Sequence, residues 1–178
     1  MNEQRPLPFA EAARAVGRCV VVSAGLLRRR QVRLPANHLG MRLRFGDRGS
    51  ATVYRETVVD AAAPRDPCVL VVEFRLRGVR GRGHDLFRRE SLLNTPLFVG
   101  FPGFVSKLWL AHDENGAYRG LYEWDGADRA EAYARALWRV LALVSVRGSI
   151  HYRVLPGRRR DELVDRPGAD GSRPVAAV

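Results

Sequence analysis

The order of apolar patterns along this chain predicts an α+β protein in which strand, helix, strand, strand, helix and strand follow one another behind an N-terminal helix and hairpin. Three observations carry that prediction. Residues 68–77, CVLVVEFRLR, alternate two faces with a strand's period of two. Residues 100–124 hold two runs rich in aromatic and branched side chains, joined at Asp113, Glu114, Asn115 and Gly116, which tolerate the positive φ of a tight turn. Residues 128–146 place Ala130, Tyr133, Ala134, Leu137, Leu141 and Val144 at helical spacing, with Arg129, Arg135 and Arg139 off that stripe.

From the N-terminus, residues 7–30 read as a helix with Phe9, Ala13, Val16, Val20, Ala24 and Leu27 as its packing stripe. Residues 35–40 break the pattern. MRLRF and SATVYRETVV then flank Gly46, Asp47, Arg48 and Gly49 as a second hairpin, and residues 61–67, with two prolines and three alanines, read as a linker. The expected division is therefore an N-terminal extension over 1–66, a principal domain over 67–156 and a disordered tail over 157–178.

In the strand over 68–77, Leu70, Val72, Phe74 and Leu76 share one face and Val71, Glu73, Arg75 and Arg77 the other. A glycine-rich loop over 78–83 leads to a helix over 85–94 that Thr95 and Pro96 stop. Across the next turn, Ala111 opposite Tyr118 puts Trp109 against Gly120, Lys107 against Tyr122 and Val105 against Trp124 on one side. Leu108, Leu110 and Leu121 then take the other. Gly148 is the expected stop of the last helix, and SIHYRVL is the final strand.

Two crossovers of this kind lay both helices on one face of a four-stranded antiparallel sheet, the ferredoxin-like arrangement. With the leucines taken as the face beneath the helices, the bare face carries Glu73, Arg75, Lys107, Trp109, Tyr118, Tyr122 and Trp124, with either His151 and Arg153 or Tyr152 from the last strand. Two subunits closing such faces would form a dimeric barrel around a pocket. Charged and aromatic groups enclosed together call for pairing or for a ligand.

Composition sets bounds. The chain of 178 residues has a formal charge of +11, yet Lys107 is its single lysine among 30 basic residues. Arginine in excess and spread along the chain follows from GC-rich coding, so nucleic acid is not the expected partner. No stretch reaches the roughly 18 to 20 apolar residues of a transmembrane helix. The arginines at 28–30 follow the apolar run where a signal peptide would be cleaved, which makes the cytoplasm the expected location. Cys19 and Cys68 form no CxxC pair, and His38, His84, His112 and His151 show no metal-ligand spacing, so no metal is expected. Among these groups His84, just before a helix, is either a pocket base or a first-turn residue. A lone lysine amid arginines suggests a compact cation, or a base that can lose its proton when desolvated.

The runs FRRESLLNTPLFVGFPGFVSKLWL and AYRGLYEWDGADRAEAYARAL resemble the YdhR-like monooxygenase family of the dimeric α+β barrel superfamily. Pro102, Gly103, Ser106, Lys107, Trp109, Gly120, Tyr122, Trp124 and Tyr133 carry the resemblance, which spans about half the chain. It implies a homodimeric barrel holding a small aromatic or polyketide-like molecule, in a tailoring reaction of secondary metabolism. Proton abstraction and anion stabilisation would fall to Lys107, Arg75, His84 and Tyr122, and substrate binding to Glu73, Trp109, Tyr118, Trp124 and His151. A cofactor-independent monooxygenase is the first expectation. A polyketide cyclase or isomerase of the same fold and a non-catalytic binding protein are the alternatives.

Overall fold

The computed structural model describes residues 5–45, 49–78, 91–164 and 173–174. At its centre is the predicted hairpin, β5 (Phe104–Leu110) and β6 (Ala117–Asp125). Gly116 takes φ 74°, and the Asp113 carboxylate accepts hydrogen bonds from the amides of Asn115 and Ala117 at 2.9 and 3.0 Å, which closes the turn. Lys107 lies opposite Tyr122, Trp109 opposite Gly120 and Leu108 opposite Leu121, as the sequence predicts. A bulge between Phe104 and Ser106 puts Phe104, and not Val105, opposite Trp124.

Around this hairpin the other strands assemble by antiparallel pairing: β4 (Pro67–Arg75) on β6 and β7 (His151–Pro156) on β4. The order β7-β4-β6-β5 is the fourth, first, third and second strand of a βαββαβ unit, which is the ferredoxin-like arrangement. The glycine loop from residue 79, His84 and most of the helix expected over 85–94 lie outside the described residues. A 3₁₀ helix over Ser91–Leu97 runs through Pro96 into β5. The second crossover is α2 (Ala127–Val144).

The N-terminal segment joins the same sheet. After α1 (Phe9–Arg28) come β1 (Val32–Arg33), β2 (Arg42–Arg44) and β3 (Ser50–Val59), and β3 pairs antiparallel with β5. Beyond Pro156, in the stretch expected to be a tail over 157–178, the described residues 157–164 and 173–174 include two short elements. Here α3 (Arg160–Val164) buries Leu163 and Val164, and β8 (Arg173–Pro174) pairs parallel with β2. A buried ion pair that composition does not reveal ties α3 to β3. Arg160 reaches Glu56 of β3 at 2.9 Å, and Glu56 also meets His38 Nδ1 at 2.8 Å.

The sheet divides the core in two. On one face Cys68, Leu70, Val72, Trp109, Tyr122 and Trp124 pack against Cys19 of α1 and Ala130, Tyr133 and Ala134 of α2. On the other, Val69, Val71, Leu108, Leu110 and Leu121 pack against Leu43, Phe45, Leu163 and Val164. The helices thus cover the aromatic face, the reverse of the expected assignment. Both faces are apolar, so alternation sorts the residues into two sets without saying which set the helices take. Each large ring fully buried here contributes on the order of 1.5–3 kcal/mol.

The helix α1 is also turned from its expected stripe. Ala12, Cys19 and Ser23 are buried, whereas Phe9 is 74% exposed. Small residues face inward because the helix backbone approaches Gly100 so closely that a Cβ there would collide with the Cys19 carbonyl. Ser23 Oγ and Cys19 Sγ both donate to the Pro96 carbonyl, at 2.9 and 3.3 Å, which fixes the helix on the 3₁₀ segment. Among the described residues no helix is long and apolar enough to cross a membrane.

Candidate functional site

Between the sheet and α2 lies a cavity of about 560 Å³. Its floor is Val72, Phe74, Lys107, Trp109, Tyr118 and Tyr122, its wall Phe98 and Tyr54, and its roof Tyr133, Leu137 and Leu141 of α2. Strand alternation puts the floor residues on one face, and the amphipathic α2 supplies the apolar roof.

Lys107 is the one cation on this floor that alternation aims straight at the roof. Its side chain is buried, and its Nζ lies 3.2 Å from the centre of the Trp109 ring, 4.6 Å from Phe98 and 4.7 Å from Tyr122. Among the described residues it meets no carboxylate. Burial, reinforced by the Arg55 guanidinium nearby, holds its amine well below the ordinary lysine range. Arg55 itself sits 5.1 Å from the Trp109 ring and 5.5 Å from that of Tyr54. Trp109 is held in place because its indole N–H donates to Thr57 Oγ1 at 3.0 Å.

Tyr133 donates its hydroxyl hydrogen to the Tyr122 oxygen at 3.2 Å. Burial pushes both phenols above their ordinary range, so both stay protonated, and Tyr122 keeps its own hydrogen to offer the cavity. Gly120 makes this geometry possible, since a Cβ there would lie 2.6 Å from the Tyr122 ring. The site therefore combines an amine whose burial favours its neutral form, a protonated phenol pair and broad apolar walls. That set can take a proton from an acidic substrate and stabilise the resulting anion.

Of the predicted residues, Lys107, Trp109, Tyr118 and Tyr122 come together here. Trp124 faces the same way but is wholly buried, edge-on to Phe104 and 4.8 Å from Tyr133, as core beside the cavity. Glu73 and Arg75 lie on the opposite face, a correction to their expected place beside Lys107. Leu70 pairs with Tyr122 and Val72 with Gly120, so Leu70, Val72 and Phe74 share the Lys107 face and the odd-numbered residues do not. Glu73 instead accepts from Arg119 Nε at 2.8 Å, and Arg119 Nη1 donates to Asp113 at 2.6 Å, a buried network on the far side. His151 pairs with Glu73 and is exposed, while Tyr152, opposite Val72, lines the cavity. This decides the alternative left open for β7. His84 lies outside the described residues.

Tyr54, Arg55 and Thr57 went unnoticed in the sequence because their place depends on β3 pairing with β5, a contact between residues about 50 apart. Alternation along SATVYRETVV was the available signal, and it needed that partner. Tyr133 was visible as one member of a helical stripe and among the residues that carry the resemblance, with no role assigned to it.

No family model matches the chain, and no curated protein does. Among solved structures the chain is similar to a ferredoxin-fold protein from Listeria monocytogenes described as related to antibiotic biosynthesis monooxygenases, with 12% identity, TM-score 0.43, and 61% of this chain and 64% of that one covered. An anthrone oxidase-like protein shows 17% identity and TM-score 0.41 over 61% and 54%. A monooxygenase-like protein from Listeria innocua shows 12% and 0.43 over 64% and 68%. The chain thus spans less than two thirds of the first two neighbours. Its ferredoxin-like assignment rests on its own strand order.

Proposed function

We propose that the chain is a small-molecule enzyme that oxidises an ionisable aromatic or polyketide-type compound in the cavity beneath α2, with Lys107 as the base and dioxygen as the oxidant. One observation carries this reading: a buried amine faces an apolar cavity, ringed by three aromatic faces and, among the described residues, without a carboxylate. A lysine used only to anchor structure is ordinarily paired.

In this reading the neutral amine takes a proton from an acidic C–H or O–H of the substrate. The ammonium so formed is stabilised by the faces of Trp109, Phe98 and Tyr122 and by the anion it has generated. Tyr122 donates its hydrogen bond to the substrate oxyanion. The electron-rich carbanion passes its electrons to dioxygen, a C–O bond forms, and loss of water from the hydroperoxide leaves a carbonyl. The balance is CH₂ + O₂ → C=O + H₂O, with every electron coming from the substrate.

The test is oxygen uptake with a panel of hydroxynaphthalenes and hydroxyanthracenes. Removing a general base costs about 10²- to 10⁴-fold, so Lys107→Met should lose at least about a hundredfold in turnover while remaining folded. Unchanged turnover in that variant would end the proposal. The Tyr122 and Tyr133 pair also suits an enolate, which supports a second reading as a cyclase or isomerase. Conversion of a polyketide-type substrate without oxygen uptake would select it.

A further inference from the structure

We propose that Lys107 is also a carbonyl-capture site, at which its amine adds to an apolar aldehyde or ketone and forms an imine. The inference rests on the same reading of Lys107 as an amine that faces the cavity and, among the described residues, meets no carboxylate, but it requires a nucleophile where the proposed oxidation requires a base.

Imine formation needs three things, and the cavity supplies each. The first is a nitrogen lone pair, which an amine surrounded by rings and close to a second cation retains, as in other lysines activated by desolvation. The second is an acid to help the carbonyl oxygen leave. Tyr122 lies alongside, its hydroxyl hydrogen kept available because Tyr133 donates into its oxygen. The third is an apolar berth for the rest of the ligand, formed by Phe74, Leu137, Trp138 and Leu141 within about 560 Å³.

The step balances without any redox partner. The Lys107 nitrogen attacks the carbonyl carbon, and the carbinolamine hydroxyl takes a proton and leaves as water while the C=N bond forms: R₂C=O + H₂N–R′ → R₂C=N–R′ + H₂O. Tyr122 lends its proton and regains one from the nitrogen. A neutral imine suits this setting better than an iminium, for the reason that disfavours the ammonium. The ligand class is therefore an aromatic or long apolar aldehyde or ketone, matched to the rings and aliphatic chains that line the berth.

Because Lys107 is the single lysine of this chain, the test is clean. The protein is incubated with 1-naphthaldehyde and quenched at timed intervals with sodium borohydride, which reduces a neutral imine, and adducts are mapped by peptide mass spectrometry. Each pKa unit below the ordinary value raises the neutral-amine fraction at pH 7 about tenfold. The expected result is one reduced naphthylmethyl group on Lys107, formed at least about tenfold faster than on Nα-acetyl-lysine and suppressed by 2-naphthol, which has the ring but no carbonyl. In Lys107→Met only the α-amino group should be labelled. If 2-naphthol binds but no adduct forms at Lys107, or forms only at the free-amine rate, carbonyl capture is overturned and the cavity reading survives. If neither compound enters, both are overturned.

Discussion

Replacing Lys107 with Met should make the protein's stability less dependent on pH, by an amount that follows from the geometry. In the unfolded chain the amine titrates near 10.4, whereas in the fold burial and Arg55 lower it far below that. A base whose folded pKa is lowered binds more protons when unfolded, so wild-type stability rises with pH between the folded and unfolded values. The penalty is greatest below the folded pKa and vanishes above the unfolded one. With one proton at stake, the slope is about 1.4 kcal/mol per pH unit. Above the folded value, and within pH 7 to 9, the wild type should therefore gain stability with rising pH relative to Lys107→Met at up to that slope. Titrations of the buried cysteines and tyrosines are common to both proteins and cancel in the difference. Urea unfolding at pH 7, 8 and 9, followed by tryptophan fluorescence, measures it. A stability difference that does not change with pH would refute the buried neutral amine and with it the role of Lys107 as a base.

Other outcomes follow from the same structure. Glu56→Ala leaves the buried Arg160 with the exposed Asp161 but without its buried carboxylate partner, which should cost about 1–3 kcal/mol in urea unfolding and make the peptide bonds around α3 more open to limited proteolysis. Gly120→Val places carbon where the Tyr122 ring now lies. It should cost about 1–3 kcal/mol and alter the near-ultraviolet circular dichroism of the aromatic cluster. Burial pushes the Cys68 thiol up to about 11 and raises that of Cys19, so neither should react with a thiol reagent at pH 8 until the protein unfolds.

Local pattern made much of this legible. The register of β5 on β6 followed from the turn at 113–116 and the period of two, which correctly placed Lys107 against Tyr122 and Trp109 against Gly120. The extents of α1 and α2 followed from helical spacing. The remainder was set by contacts distant in sequence. Leu108 and Trp109 are both apolar neighbours of opposite faces, and only the docking of α1 on Gly100 and of α2 over Tyr122 decides which side the helices cover. Glu73 and Arg75 were misplaced with that face because one strand's alternation cannot be phased against another's without the pairing of β4 and β6. The docking of α3 was not legible because Arg160 reads as one more arginine until Glu56 is seen beside it.

The central claim is that a small aromatic molecule occupies the cavity between the sheet and α2. Isothermal titration of 2-naphthol into the wild type and into Leu137→Trp tests it most directly, since Leu137 is half-buried and lines the roof. One molecule should bind per wild-type chain, and the bulkier indole should weaken binding at least about tenfold while the unfolding midpoint is unchanged, because each 1.4 kcal/mol of lost contact is a factor of ten. Equal binding to both proteins would place the ligand elsewhere and contradict the account.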